Sequence, residues 1–278
     1  MRSKPGGRLT LRAVGVGRDY EDGAVLDGVD LTLTPGEPPM GVIGPSGSGK
    51  TTLVNVLMGW DRQSRGGISL GSESPYRPAR RARRTVKAAL RGVHEEADPT
   101  INPSAVNGKV LAAARHLAAR TRRDQPLDDD ALLRLVGLAP EALGRIPRET
   151  SLGERQRFAI ALALATDPDI LILDEPSTAL DPPTAADVLG RVVHHATARG
   201  TAVLIVSHNL AVIDALTCDV IVLYEGRVVA HGTLDHLLAY PAHPYLAELA
   251  AIRRAEAATH RPAADARAGM PDSALRPG

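Results

Sequence analysis

The chain has 278 residues, 44 % hydrophobic and 23 % charged, with 33 basic side chains against 32 acidic ones for a formal net charge of +1. That is enough apolar material for one large core or two modest ones, and the near-neutral balance excludes a surface built to wrap polyanions. One cysteine, Cys218, excludes an internal disulfide framework and fits a reducing compartment inside the cell; a polar start and the lack of an apolar run of ~20 residues argue against a signal peptide or a membrane span. With aromatics at only 3 %, the core is expected to be aliphatic.

Residues 9–34 read as two short strands, LTLRAVGV and AVLDGVDLTLT, the second alternating apolar at Val25, Val29, Leu31 and Leu33, with a turn at Asp22 and Gly23 between them. PMGVIG (39–44) is a short apolar strand. After it, Leu53, Val54, Val56 and Leu57 fall at helical spacing, with Gly59 as the C-cap. The stretch 60–104 is rich in Gly, Ser, Arg and Pro, and its arginine run at 80–84 reads as a solvated face, with an anion patch as the other reading. Three helical patterns, KVLAAARHLAART, DDDALLRLVGL and ERQRFAIALALAT, form a separate helical subdomain over about 95–165. DILILDEP, TAVLIVSH and DVIVLYEG, with a helical stretch (184–199) between the first two, suit a parallel sheet covered on both faces. Residues 255–278 lose periodicity and read as a disordered tail after a domain spanning 1–254.

GPSGSGKT at 44–51 matches the phosphate-loop pattern in full, between a strand and a helix. The glycines Gly44, Gly47 and Gly49 let the backbone of the loop, Gly44, Pro45, Ser46, Gly47, Ser48 and Gly49, curl so that its N–H groups, which all of these but Pro45 carry, face phosphate oxygens at a helix N-terminus. Lys50 bridges the outer phosphates, the Thr51 hydroxyl ligates Mg²⁺, and Thr52 completes the turn. A dinucleotide fingerprint is excluded because the third glycine is missing. The loop needs an acidic partner, which the end of ILILDE supplies: Asp174 for the metal and Glu175 as general base.

Further segments carry a family resemblance. ETSLGERQR (149–157) resembles the signature of ATP-binding cassette (ABC) ATPases, STALD (177–181) resembles their D-loop, His208 their switch histidine, and Tyr20 the aromatic that stacks on adenine. The resemblance spans about residues 9–235, with the motifs in family order. VHEEADPTINP (93–103) and YPAHPY (240–245) are similar to segments of oligopeptide, dipeptide and nickel importer ATPases, the second within a C-terminal extension at about 236–254. The resemblance implies an α/β P-loop NTPase fold with a RecA-like mostly parallel sheet, an N-terminal antiparallel β subdomain and an inserted α-helical subdomain. It implies a peripheral ATPase at the cytoplasmic face of the membrane that uses ATP and Mg²⁺ to power transport of peptides, nickel or a similar small solute. Its partners would be a second ABC ATPase subunit, permease subunits and a solute-binding protein, with no nucleic acid. A regulatory or weakly active cassette and a soluble nucleic-acid-linked one are the alternatives.

Two departures follow from that alignment. Glu95 stands where the family has a glutamine beside the γ-phosphate and metal, which adds negative charge there. In the signature, which the family presents to the nucleotide of the opposite subunit, Ser151 and Gly153 remain, but Leu152 replaces a glycine and Glu154 a glutamine. The damage therefore falls on the partner's site, and a heterodimer is favoured over a homodimer.

Overall fold

The computed structural model describes residues 7–21, 23–94, 105–121 and 127–259. Asp22, Glu95, the rest of the 95–104 segment and the tail from 260 onward lie outside the described residues. Alternation in the first segment produces β1 (Leu11–Tyr20) and β2 (Gly23–Leu33), paired antiparallel with Leu11 opposite Leu33 and Ala13 opposite Leu31, so that one apolar face is buried. The short strand β3 (Met40–Ile43) leads through the phosphate loop into α1 (Lys50–Leu57). At the end of α1, Trp60 N–H donates to Asn55 O and Gly59 N–H to Val56 O, with Gly59 at φ 70°: a Schellman stop that sets the direction in which Trp60 leaves.

β4 (Arg65–Leu70) joins the free edge of β1 and completes a three-stranded sheet in the order β2-β1-β4. α2 (Arg83–Ala89) and β5 (Leu90–Val93) follow. Among the residues of the arginine run, Arg80, Arg81, Arg83 and Arg84 are exposed, as a solvated face requires. The helical segment comprises α3 (Asn107–Arg120), α4 (Asp129–Leu135), two 3-10 turns and α5 (Leu152–Leu164). Asp128 starts α4 by accepting from Ala131 N–H at 2.7 Å.

The wholly buried strands β6 (Ile170–Asp174) and β7 (Ala202–Val206) flank α6 (Pro182–Ala198), whose Val188, Leu189, Val192 and Ala196 form one buried stripe. After α7 (Leu210–Leu216) come β8 (Asp219–Tyr224) and β9 (Arg227–Gly232). The second sheet runs β5-β6-β7-β3-β8-β9, parallel except for β9. Its core is aliphatic, centred on Val42, Val54, Ile172, Leu204, Val206 and Ile221. The chain then divides between Leu234 and Asp235 into two compact units. The second contains most of α8 (Leu234–Ala239) and all of α9 (Pro244–Thr259). Residues 255–259, expected to belong to a tail, are helical: α9 continues through Thr259, because its Ala-rich sequence favours helix even without a clear apolar stripe, and the rest of that expectation lies outside the described residues.

What positions the site is the register. Asp174 pairs with Val206, and Val206 with Val42, so the ends of β6, β7 and β3 stand level, and the loops that follow them open together at the carboxyl edge of the sheet.

Candidate nucleotide and metal site

The phosphate loop is shaped by contacts that leave no room for side chains. A Cβ on Gly44 would stand 2.1 Å from Leu223 O, which explains why this strand end must be glycine. Gly49, at φ 98°, precedes α1, whose first turn has no side-chain cap, so its N–H groups remain to meet an anion. Lys50 Nζ donates to Gly44 O and Pro45 O, both at 2.9 Å. Burial lowers the Lys50 pKa, and the charges of Glu175 and Asp174 partly offset that. The loop lines a cleft of about 360 Å³ together with Val25, Ser46, Gly47, Gly49, Lys50, Thr51, Thr52, Asp174, Glu175 and His208.

Asp174 and Glu175 are buried, at 2 % and 8 % exposure. Asp174 Oδ1 has no hydrogen-bond partner among the described residues, and it shares the cleft with Thr51. A buried, unpartnered carboxylate oxygen beside a threonine hydroxyl fits a hard divalent cation such as Mg²⁺.

Glu175 adopts φ 47°, a left-handed conformation that costs an ordinary residue about 1–2 kcal/mol. Its surroundings hold it there. Glu175 N–H donates to Val206 O at 2.8 Å, and Glu175 O accepts from Thr178 Oγ1 at 2.9 Å and from Gln156 Nε2 at 3.2 Å. Its carboxylate accepts from Ser207 Oγ at 3.1 Å and from the His208 backbone N–H at 2.9 Å. The His208 imidazole Nδ1 lies 2.9 Å from the same Oε1, while the ring is largely exposed. A carboxylate with one solvent-facing neighbour and two fixed partners is suited to take a proton from a water in the cleft.

The signature serine caps α5: Ser151 Oγ accepts from Glu154 N–H at 3.1 Å, and Glu154 Oε2 accepts from Ser151 N–H at 2.9 Å. The Ser151 backbone hydrogen bond, followed by the other contacts of the box and Arg145, holds the Glu154 carboxyl below its ordinary range. Leu152 projects with 50 % exposure. Gly153 sits against the D-loop, where a Cβ would come within 2.8 Å of Ala179 O. Tyr20 does not line the cleft described above. Its hydroxyl donates to Asp61 Oδ2 at 2.6 Å, and the Arg18 guanidinium covers one ring face at 4.2 Å, while the residue as a whole stays 42 % exposed.

Two site residues lie within the segments 149–157 and 93–103, yet the sequence alone assigns them no role there. Gln156 is 3 % exposed and bridges the signature helix to both Glu175 O and Ala179 N–H. His94 touches Asp174. Neither has a short sequence pattern of its own.

The profile of the ABC transporter family matches residues 26–178, from β2 through the phosphate loop and signature to the D-loop. The chain belongs to the ABC transporter family. This ABC ATPase is 33 % identical to a probable D,D-dipeptide transport ATP-binding protein of Escherichia coli (strain K12), over 85 % of its own length and 76 % of the relative's. It is 32 % identical to a nickel import ATP-binding protein of Pseudomonas putida, over 79 % of this chain and 80 % of that one. A dimeric bacterial ABC transporter cassette shares its fold with a TM-score of 0.68 at 22 % identity, covering 80 % of this chain and 98 % of the other. The same fold recurs in a cassette in a post-hydrolysis state bound to ADP and phosphate, with a TM-score of 0.65 at 22 % identity over 80 % and 98 % of the two chains. As a member of this family the ABC ATPase binds ATP with Mg²⁺ and hydrolyses it.

Proposed function

We propose that this chain is the energy-coupling ATPase of an importer for peptides, nickel or a similar small solute, bound to permease subunits at the cytoplasmic face of the membrane and served by a solute-binding protein. The printed functions of its relatives, D,D-dipeptide transport and nickel import, support that cargo class. No helix among the described residues is long and apolar enough to cross a membrane, so membrane-spanning elements would come from partners.

The observation that carries the reading is the convergence of the loop, Asp174, Glu175 and His208 on one cleft. The loop N–H groups and Lys50 bind the phosphates, Thr51 and Asp174 hold the metal, and Tyr20 offers its ring to adenine. Bound Mg²⁺ supplies charge neutralisation on the phosphate oxygens. Glu175 takes the proton of the attacking water, and His208 fixes the direction of that carboxylate.

The partner in the ATPase pair is a different cassette. At the start of α5 the hydroxyl and amide of Ser151 are both engaged within the capping box, an ionised Glu154 stands beside them, and Leu152 covers the approach. An added carboxylate near a phosphate opposes its binding, since like charges at about 4 Å repel by ~1 kcal/mol even in bulk water. This surface therefore receives an anion poorly, and the competent site combines this chain's loop with the partner's signature. The test is the ATPase rate of the purified chain alone and of the complex purified from membranes. Slow turnover alone and fast turnover in a complex containing a second cassette and permeases is the expected result; vigorous turnover by a homodimer would sink the asymmetric pairing.

A further inference from the structure

The carboxylate assigned to the metal is itself held by a side chain to which the sequence alone assigns no role. His94 follows β5 directly, and its Nδ1 lies 3.1 Å from Asp174 Oδ2, with the two side chains 14 % and 3 % exposed. An ionised carboxylate only accepts, so Nδ1 carries the proton and donates. That bond occupies Oδ2 and leaves Oδ1, buried and without a hydrogen-bond partner among the described residues, as the oxygen still to be satisfied on a residue that lines the cleft. The imidazole is steadied by Trp60, whose ring centroid is 4.5 Å away at an interplanar angle of 34°. Trp60 in turn leaves the Schellman stop of α1, and a Cβ on Gly59 would meet Pro75 C at 2.5 Å, so this exit has little freedom. Both ends of α1 thus bear on the metal: Thr51 at its start, and Trp60 through His94 and Asp174 at its end.

We infer that His94 is a positioning residue for the divalent cation, fixing Asp174 so that one oxygen alone is presented as a ligand. The inference rests on Asp174 being the metal ligand. Mg²⁺ and Mn²⁺ favour single-oxygen octahedral ligation, whereas Ca²⁺ accepts a carboxylate through both oxygens. A carboxylate whose second oxygen is engaged by an imidazole therefore favours the smaller ions, and loss of such an outer partner costs metal affinity about 10–100-fold.

The test uses the full chain with a non-hydrolysable ATP analogue and reads Mn²⁺ binding by electron paramagnetic resonance, with Ca²⁺ competition. His94→Phe keeps a ring against Trp60 and removes the donor; His94→Asn places an amide N–H near the position of Nδ1. The expected result is a Mn²⁺ affinity about 10-fold or more weaker in His94→Phe, a smaller loss for Ca²⁺, and recovery to within about threefold in His94→Asn. Binding of the analogue in EDTA should match wild type in both variants. Unchanged Mn²⁺ affinity in His94→Phe, an equal loss for Ca²⁺, an asparagine variant as weak as phenylalanine, or lost analogue binding in EDTA would each overturn the positioning role. Absence of Mn²⁺ binding in the wild-type complex would overturn the metal assignment and the role of His94 with it.

Discussion

One oxygen of Glu175 receives two groups of His208: the backbone N–H and the imidazole Nδ1 both lie 2.9 Å from Oε1. The backbone contact needs no side chain at 208 and is kept by alanine, so the two residues should separate in kinetics. Glu175→Gln keeps the shape and loses the base; phosphate release by the assembled complex should fall about 10²–10⁴-fold with ATP binding retained. His208→Ala should cost less, on the order of 10–100-fold, because the carboxylate loses one partner that directs it and the base itself remains. A His208→Ala loss as large as that of Glu175→Gln would show that the imidazole acts on the nucleotide itself.

Gln156 ties the signature helix to the strained backbone at Glu175. Gln156→Ala leaves Ala179 N–H without its acceptor and removes one donor from Glu175 O. The expected cost is about 1–3 kcal/mol in chemical denaturation, with a fall in kcat that exceeds any change in KM. Wild-type kcat in this variant would mean that Thr178 alone suffices to hold the turn.

Gly44 and Gly47 test two different needs for glycine. Alanine at 44 would press on Leu223 O and should cost about 1–3 kcal/mol as well as nucleotide binding. Gly47 has open space around it and φ 77°, so Gly47→Ala should cost only the left-handed backbone term, about 1–2 kcal/mol. Differential scanning calorimetry of the two variants should rank them in that order.

The capping box of α5 makes a pH prediction. The folded Glu154 carboxyl lies below the ordinary glutamate value of 4.5, so its stabilisation is present above that value and is lost as pH falls through the folded value. The Tm gap between wild type and Glu154→Gln should therefore be widest near neutrality and close on acidification. A gap that widens in acid would contradict the box.

The loop, Asp174 and Glu175 were legible because each is a run of adjacent residues whose chemistry depends on local backbone shape. Gln156 and His94 sit inside segments that resemble the family, but their roles were not legible, since their partners lie 19 and 80 residues away and only the folded chain joins them. The same contrast holds for the fold. The Val- and Ile-rich strands β6, β7 and β8 announce themselves, whereas β5, only four residues with Arg91 and Gly92 in it, is a strand because Leu90 to Val93 pair with Ile170 to Leu173. β4 was hidden for a related reason: its Arg65, Gly66 and Gly67 carry no apolar alternation, and the edge of β1 supplies the ladder.

The level ends of β3, β7 and β6 give the cleft an unusual robustness. Those strands are buried along nearly their whole length, and backbone of that kind opens only when the entire domain does. The amides from which the chemistry hangs should therefore exchange slowly, and on heating the capacity to hold nucleotide should vanish with the last cooperative transition, without an earlier loosening of its own.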